Sequence, residues 1–232
     1  MKILYVNFAM DFIARKKNFE IMIIKELQKL GHQITIVITD LDTSLRSNTR
    51  FSDLNQKSIE AIENPIEMEG IPVFVLHSSL PRLGMYCPNA TKFARSIIKN
   101  YDLVHIANAY HHPGIVFSKI AHEYNIPYVF SAYATLQPET RSYKKRQKCL
   151  IDKLYTKKML RHASALHSVG ELETQEYIKF GADAKKIFRI DPAISLENFE
   201  IKQRTDIFNK IRLEKDDEYL LFLGRIDKRK KI

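Results

Sequence analysis

Near the end of the sequence, Gly224-Arg225-Ile226-Asp227-Lys228-Arg229-Lys230 follows the apolar run Tyr219–Leu223. A glycine directly after a strand lets a ligand approach the backbone closely. Arg225 and Lys230, five positions apart in a turn, have the reach to hold a diphosphate. The guanidinium would act as a two-pronged donor and the ammonium as a point charge. An unstructured basic chain end accounts for the same residues, and that alternative stays open. Histidines form a second group of candidates. His105, His111 and His112 lie at and just after the run Leu103–Ile106. Two adjacent histidines point different ways from a helix start, and no carboxylate sits at a supporting spacing. A solvated or cleft-lining pair is therefore preferred to a metal site. His105 and His167 fall inside apolar runs and read as satisfied core histidines.

The third group is a charge block. Arg141, Lys144, Lys145, Arg146, Lys148, Lys153, Lys157, Lys158 and Arg161 enclose one acid, Asp152, for a local charge of +8. Residues 225–232 add +4, so of the net +10 almost nothing is left for the remainder. Two basic patches on a near-neutral body suggest two local anionic partners, not a nucleic-acid-binding coat. No aromatic–basic interleaving of the kind that stacks bases is present, and nucleic acid is not an expected partner. Within the block, Leu150, Ile151, Leu154, Tyr155, Met159 and Leu160 recur at helical spacing. Two readings remain open. One is a helix packed on a sheet with a solvated charged face. The other is a docking surface for anionic lipid through Lys144, Lys145, Arg146 and Lys148.

These residues need elements to position them. Short apolar runs at Ile3–Val6, Ile34–Ile38, Val73–Leu76, Leu103–Ile106, Tyr128–Phe130, Ala165–Val169, Ile187–Ile190 and Tyr219–Leu223 lack clean alternation. Strands buried on both faces read this way. Helical patterns lie between them. Phe19, Ile23, Leu27 and Leu30 predict one helix closed by Gly31. Pro113 suits the first turn of another, followed by Ile115, Val116, Ile120 and Tyr124. Glu171, Glu173 and Glu176 load the start of a third, where the helix dipole favours anions, and Gly181 stops it. The β-α-β rhythm predicts an α/β fold: a Rossmann-like parallel sheet with helices on both faces and ligands beyond the carboxyl ends of the strands.

Composition and absent motifs exclude other classes. At 232 residues the chain fits one large domain, or one plus part of another, at ~100–200 residues per domain. With 45% hydrophobic and 28% charged residues it is globular. No G-x-G-x-x-G follows the first strand, no G-x-x-x-x-G-K-[ST] occurs, and the chain has seven glycines. This argues against a dehydrogenase and a P-loop ATPase. The absence of G-x-S-x-G argues against a hydrolase of that type. No apolar run approaches the ~20 residues of a membrane span. The opening Met1-Lys2-Ile3-Leu4 shows no signal-peptide pattern. Two cysteines, Cys87 and Cys149, fit neither a disulfide framework nor a zinc knuckle. The expected location is cytoplasmic, with the basic block permitting peripheral attachment to the inner face of a membrane.

Several segments together resemble glycosyltransferase family 4. Phe222-Leu223-Gly224-Arg225-Ile226 followed by Lys230 is similar to the F-x-G-R-[IL]-x-x-x-K-G signature that opens the second domain of its GT-B fold. Met1 to Asn7 resembles the first strand, and Leu30-Gly31-His32-Gln33-Ile34-Thr35 the "RGHEVT" turn. Tyr101 to Ile106 resembles "DVVHIH", and Ile126-Pro127-Tyr128-Val129-Phe130-Ser131 resembles "IPYVIS". Ala165-Leu166-His167-Ser168 through Glu171 resembles "ALHATSE", and Ile187 to Phe199 resembles "VIPNGVDLEEF". Each piece is short, but all occur in the family's order along nearly the whole chain.

The resemblance implies retaining transfer of a sugar from a nucleotide diphosphate sugar to a lipid-linked or polysaccharide acceptor. It implies no metal and no cofactor beyond that co-substrate. The first domain would mainly hold the acceptor and the second the donor. Arg225 and Lys230 match the donor-diphosphate residues. Tyr133 stands where the family often has a catalytic histidine, and Asn108, Tyr110 and His111 are expected to line the acceptor cleft. The expected layout is a GT-B N-terminal domain over 1–195, a connector over 196–217 and a stub of the donor domain over 218–232. The sequence departs from the family pattern at Ala14-Arg15-Lys16-Lys17-Asn18, where two glycines are usual. Further departures are Ala107, Asp191-Pro192-Ala193 and Lys231. The remaining donor domain, with its E-x7-E segment, is missing from these residues, so the chain alone is expected to be inactive. The alternatives are a non-catalytic acceptor- or membrane-binding module, a subunit of a split enzyme that pairs with a separate donor-domain subunit, and a truncated product without function.

Overall fold

The computed structural model describes residues 1–8, 19–40, 64–79, 86–192, 220 and 222. The chain divides into two compact units, Met1–Pro192 and Ala193–Ile232. Arg225, Lys230, the 14–18 segment and the 196–217 connector lie outside the described residues.

The first unit runs β1 (Lys2–Val6), α1 (Phe19–Lys29), β2 (Gln33–Thr39), β3 (Ile66–Met68), β4 (Ile71–Leu76), α2 (Ala90–Ile97), β5 (Leu103–Ala107), α3 (His112–Glu123) and β6 (Tyr128–Ser131). It continues through α4 (Pro138–Ser142), α5 (Lys145–Ile151), a π-helical turn (Asp152–Thr156), α6 (Lys157–His162), β7 (Ala165–Ser168), α7 (Glu171–Lys179) and β8 (Ile187–Arg189). The eight strands form one sheet in the order β3-β4-β2-β1-β5-β6-β7-β8. All neighbours pair parallel except β3, which pairs antiparallel with β4. This is the Rossmann-like α/β architecture expected. The sequence pattern missed β3, a three-residue edge strand joined to β4 through Glu69 and Gly70, both at positive φ. That pairing of dihedrals suits a tight hairpin.

Alternation along each strand sends neighbours to opposite faces and builds two cores. Leu4 and Val6 join Val104, Ile106, Phe117 and Phe130 on one face. Ile3 and Tyr5 join Ile21, Ile24, Ile36 and Ile38 on the other. Helix α1 ends in a Schellman motif: the Gly31 N–H donates to the Gln28 carbonyl, and that of His32 to the Leu27 carbonyl. Gly31 takes φ +85 there, as its type allows. The buried stripe of α1 differs from the one expected. Glu20, Ile21 and Ile24 are buried, Ile23 is half-buried and Leu30 is 74% exposed. Leu30 lies past the last full turn, where the chain leaves the helix, so its side chain stays in water.

The stripe expected between Leu150 and Leu160 also splits. Asp152, Thr156, Met159 and Leu160 are buried, while Leu150, Leu154 and Tyr155 are exposed. The π-helical turn adds a residue to one coil and shifts the register that a 3.6-residue period assumes. The Arg141 guanidinium donates twice to one oxygen of Asp152, at 2.7 and 3.2 Å, which gives that carboxylate a partner on the inward side.

The rotated stripe of α1 makes a direct prediction. Ile24→Ala should cost ~2–5 kcal/mol of unfolding free energy, because it opens a cavity in a sealed core. Leu30→Ala should cost less than ~0.5 kcal/mol. Urea denaturation of both variants checks this; equal losses would restore the stripe read from sequence.

Candidate functional site

The sheet order changes direction at β1, whose neighbours are β2 and β5. In open α/β sheets the ligand crevice lies beyond the carboxyl ends of the strands at such a point. Asn7 follows β1 and Asn108 follows β5. The Asn108 amide donates to the Asn7 side-chain oxygen at 3.0 Å, and the Phe8 N–H donates to the same oxygen at 2.7 Å. The Asn108 N–H donates to the Ser131 carbonyl at 2.7 Å, tying in the end of β6. From α1, the buried Glu20 carboxylate accepts from the Tyr5 hydroxyl at 2.6 Å. The Tyr5 and Tyr133 hydroxyl oxygens are 3.3 Å apart.

Four non-glycine residues in the loops after β5 and β6 take left-handed backbone: Asn108 (φ 68), Tyr110 (φ 65), Tyr133 (φ 47) and Ala134 (φ 63). Asparagine tolerates this region; the others cost about 1–3 kcal/mol each and need surrounding structure to hold them. Helix α7 supplies it. Glu173, 2% exposed, accepts the Ala134 N–H at 2.7 Å and the Val169 N–H at 2.9 Å. The Tyr177 hydroxyl accepts the Ala132 N–H at 2.7 Å and donates to the His167 carbonyl at 2.8 Å. Burial raises the Glu173 pKa, and its two N–H donors pull the other way. Strain of this kind gathers at ligand sites.

A hydrogen-bonded chain runs beneath this loop. The His167 Nε2 is 3.0 Å from the Ile190 carbonyl, which can only accept, so Nε2 carries the proton. In the neutral ring Nδ1 then accepts from the Ser131 hydroxyl at 3.0 Å. The Ser131 oxygen in turn accepts the His105 Nε2–H at 2.8 Å. Loss of hydration, with His167 nearby, pushes the His105 pKa down to about 3. Both histidines are thus engaged within the sheet, as the sequence suggested.

The expected site residues fare differently. Asn108 and Tyr133 come together at the crevice with Asn7, Tyr5 and Glu20. Burial, then the Glu20 charge, raises the Tyr133 pKa, so its phenol stays protonated and serves as a neutral donor. His111 does not line a cleft. It is 2% exposed, its Nε2–H donates to the Ala107 carbonyl at 2.9 Å, and its Nδ1 accepts the Gly114 N–H at 3.1 Å as the N-cap of α3. With both nitrogens used it has no lone pair for a ligand. The Tyr110 hydroxyl is buried without a well-formed hydrogen bond, next to the Arg141–Asp152 pair. Its ring lies 4.9 Å from the Lys148 ammonium, which donates to the Thr140 carbonyl at 2.7 Å. Tyr110 and Lys148 thus meet each other at a seam between loop and helix. Lys144, Lys145 and Arg146 are exposed at the start of α5. Among the described residues no three His, Cys, Asp or Glu side chains are placed to share a metal ion. No helix among them is long and apolar enough to cross a membrane.

Sequence reasoning missed Asn7, Glu20, Glu173 and Tyr177. Glu173 carried a signal, since a glutamate in the first turn of a helix often reaches back to free N–H groups. Nothing in the local sequence marked Tyr177.

His111 sets a pH dependence. Its pKa falls to about 4, chiefly through burial, against ~6.5 in the unfolded chain. The unfolded state therefore binds the proton first, and stability present above pH 6.5 is lost as pH falls toward 4. A shift of this size is worth ~3 kcal/mol at 1.36 kcal/mol per unit. His111→Asn should flatten the decline in unfolding free energy between pH 6.5 and 4. An unchanged slope would assign the decline to other groups.

The Glycosyltransferase Family 4 model matches residues 21–198. None of the curated proteins matches the chain. Among solved structures, Anabaena Alr3699/HepE in complex with UDP and glucose is similar with a TM-score of 0.55 and 16% identity, over 91% of this chain and 50% of that one. A glycosyltransferase from Rickettsia africae gives 0.52 and 19%, over 93% and 50%. A UDP-N-acetylglucosamine 2-epimerase from Rickettsia bellii gives 0.51 and 15%, over 92% and 52%. The chain spans about half the length of these structures, and at such identities the likeness is one of fold. The mostly parallel eight-stranded sheet matches the N-terminal domain of a GT-B fold, and with the sequence match over 21–198 the chain belongs to glycosyltransferase family 4.

Proposed function

We propose that this chain is the acceptor-side part of a retaining glycosyltransferase. The reaction moves a sugar from a nucleotide diphosphate sugar to a lipid-linked or polysaccharide acceptor. The family match over 21–198 carries this reading. The neighbour solved with UDP and glucose supports a nucleotide sugar as donor. The bond between the anomeric carbon and the diphosphate oxygen breaks, and a bond to the acceptor oxygen forms. The acceptor hydroxyl proton leaves with the diphosphate. Arg225 and Lys230 hold the diphosphate and offset the charge that builds on it. The reaction invokes no cofactor beyond the nucleotide sugar.

The crevice residues suit the acceptor. Asn108 and Tyr133 present an amide and a protonated phenol to sugar hydroxyls, and neither is poised to remove a proton. Tyr133 therefore orients the acceptor and does not replace a histidine base. A second reading rests on the crevice, where neither the protonated Tyr133 phenol nor the N-capping His111 is poised to take a proton. In it the protein is a non-catalytic acceptor-binding module, or one subunit of a split enzyme with the donor domain on a separate subunit.

A labelled-sugar transfer assay separates these readings. Labelled product from the chain, alone or together with a separate donor domain, supports the enzyme. In the active form Arg225→Ala should lower turnover by about 10²–10³, the usual loss when one donor to a developing charge is removed. An unchanged rate would refute the diphosphate assignment. Acceptor binding without transfer in any combination would leave the module reading in place of the enzyme.

A further inference from the structure

A cavity of about 300 Å3 lies between α3 and the π-turn helix. It reaches Tyr128, the first residue of β6, so it sits toward the amino ends of the strands, opposite the crevice. The volume is at the small end of the ~300–1,000 Å3 usual for ligand sites. Tyr128, Met159 and Ser118 are its buried floor. Ile115, Leu154 and Tyr155 are its walls, and the last two are each 44% exposed. The rim is basic: Lys119, Lys158, His122 and His162. The two imidazoles stack with centroids 3.8 Å apart and planes 16° from parallel. The one acid in the lining, Glu123, is already engaged by Arg95 at 2.5 Å and Lys119 at 3.8 Å. An apolar hollow with a cationic mouth suits an amphiphile with an anionic head.

The helix beside it points to the same ligand. The π-helical turn places Asp152 and Thr156 inside and leaves Leu150, Leu154 and Tyr155 outside. Lys153, Lys157 and Arg161 recur every four residues along the same exposed stretch. Exposed leucines interleaved with lysines are the pattern of a helix that lies in a membrane interface. Loss of hydration lowers the His162 pKa, and the neighbouring His122, Arg161, Lys186 and Lys158 lower it further, which marks a positive field at the mouth. π-Turns inside helices are frequent at functional sites.

We propose that this cavity is a binding site for an anionic phospholipid of a membrane surface. One acyl chain enters between Ile115, Leu154 and Tyr155. The phosphate meets Lys119, Lys158 and the histidine pair. Lys153, Lys157 and Arg161 face the surrounding headgroups. The proposal does not rest on the glycosyltransferase reading and stands or falls without any sugar donor.

The test is co-sedimentation of the full chain with phosphatidylcholine vesicles, with and without phosphatidylglycerol. Binding should be at least about tenfold tighter to the anionic vesicles, and the double variant Lys157→Glu, Lys158→Glu should lose that gain. Leu154→Gln should also weaken binding, with every charge intact. These side chains are exposed, so thermal melts should be unchanged. The natural chain has no tryptophan, so Tyr155→Trp makes a single reporter on the cavity wall. Phosphatidylglycerol brominated on its acyl chains should quench it. Equal binding to both vesicle types, or no binding, overturns the proposal. So does wild-type binding by Leu154→Gln, or vesicle binding without quenching. Displacement from vesicles by glycerol phosphate alone would reassign the mouth to a soluble phosphate and also overturn it.

Discussion

The carboxylate of Glu173 takes the Ala134 N–H through one oxygen and the Val169 N–H through the other, and the loop after β6 depends on it. Tyr133 and Ala134 both hold left-handed backbone, which neither side chain favours. A single hydrogen bond to a neutral group is worth about 0.5–1.5 kcal/mol net, and bonds to a charged acceptor about 1.5–3. Two charge-assisted bonds accepted by Glu173 therefore match the strain of two such residues. The arrangement also explains the tyrosine beneath it. Tyr177 bridges Ala132 and His167, so α7 controls both ends of the loop and the strand beside it.

The same logic runs through the sheet. Ser131 pairs in register with Ala107 on one side and His167 on the other. Its hydroxyl is both acceptor and donor, which lets the histidines on β5 and β7 meet through it. The Tyr5 ring tilts against His105 at 42° with centroids 4.6 Å apart, and the Tyr133 ring meets His167 edge-on at 5.8 Å. A polar seam thus lies on a face otherwise built from isoleucine and valine. It ends at Tyr133, so the position of that phenol is set by β5, β6 and β7 together with Glu20 from α1.

The strands were legible because parallel strands buried on both faces write uninterrupted apolar runs. The cap of α1 was legible because Gly31 needs its positive φ. Other features had no local signature. The three residues of β3 are too few to show a period. The helix carrying the basic block was read with a period of 3.6, and a π-helical turn breaks that rule without any marker residue. The stripe of α1 was misplaced because Phe19, Ile23, Leu27 and Leu30 fit helical spacing as well as Ile21 and Ile24 do. At the site, Asn108 was expected in the loop after β5 and Tyr133 was singled out through the family resemblance; the structure places both just beyond the carboxyl ends of β5 and β6. The role of His111 was not found, since a loop histidine and an N-capping histidine look alike in sequence. Left-handed tyrosine and alanine cannot be anticipated where glycine or asparagine would have announced them.

Sheet geometry alone does not choose the chemistry. A glycosyltransferase and a UDP-N-acetylglucosamine 2-epimerase share this fold among the structural neighbours, as expected where function resides in loops grafted on a common frame. What distinguishes this chain is therefore the set of side chains its loops hold at the crevice. Burial and the Glu20 charge keep the Tyr133 phenol protonated, while both nitrogens of His111 are spent on backbone groups. Neither the Tyr133 phenol nor the His111 ring, held this way, is poised to take a proton from a hydroxyl group. Under the proposed transfer, the proton of the reacting hydroxyl finds no base in these two side chains and leaves with the donor's diphosphate, for which Arg225 and Lys230 are the proposed partners.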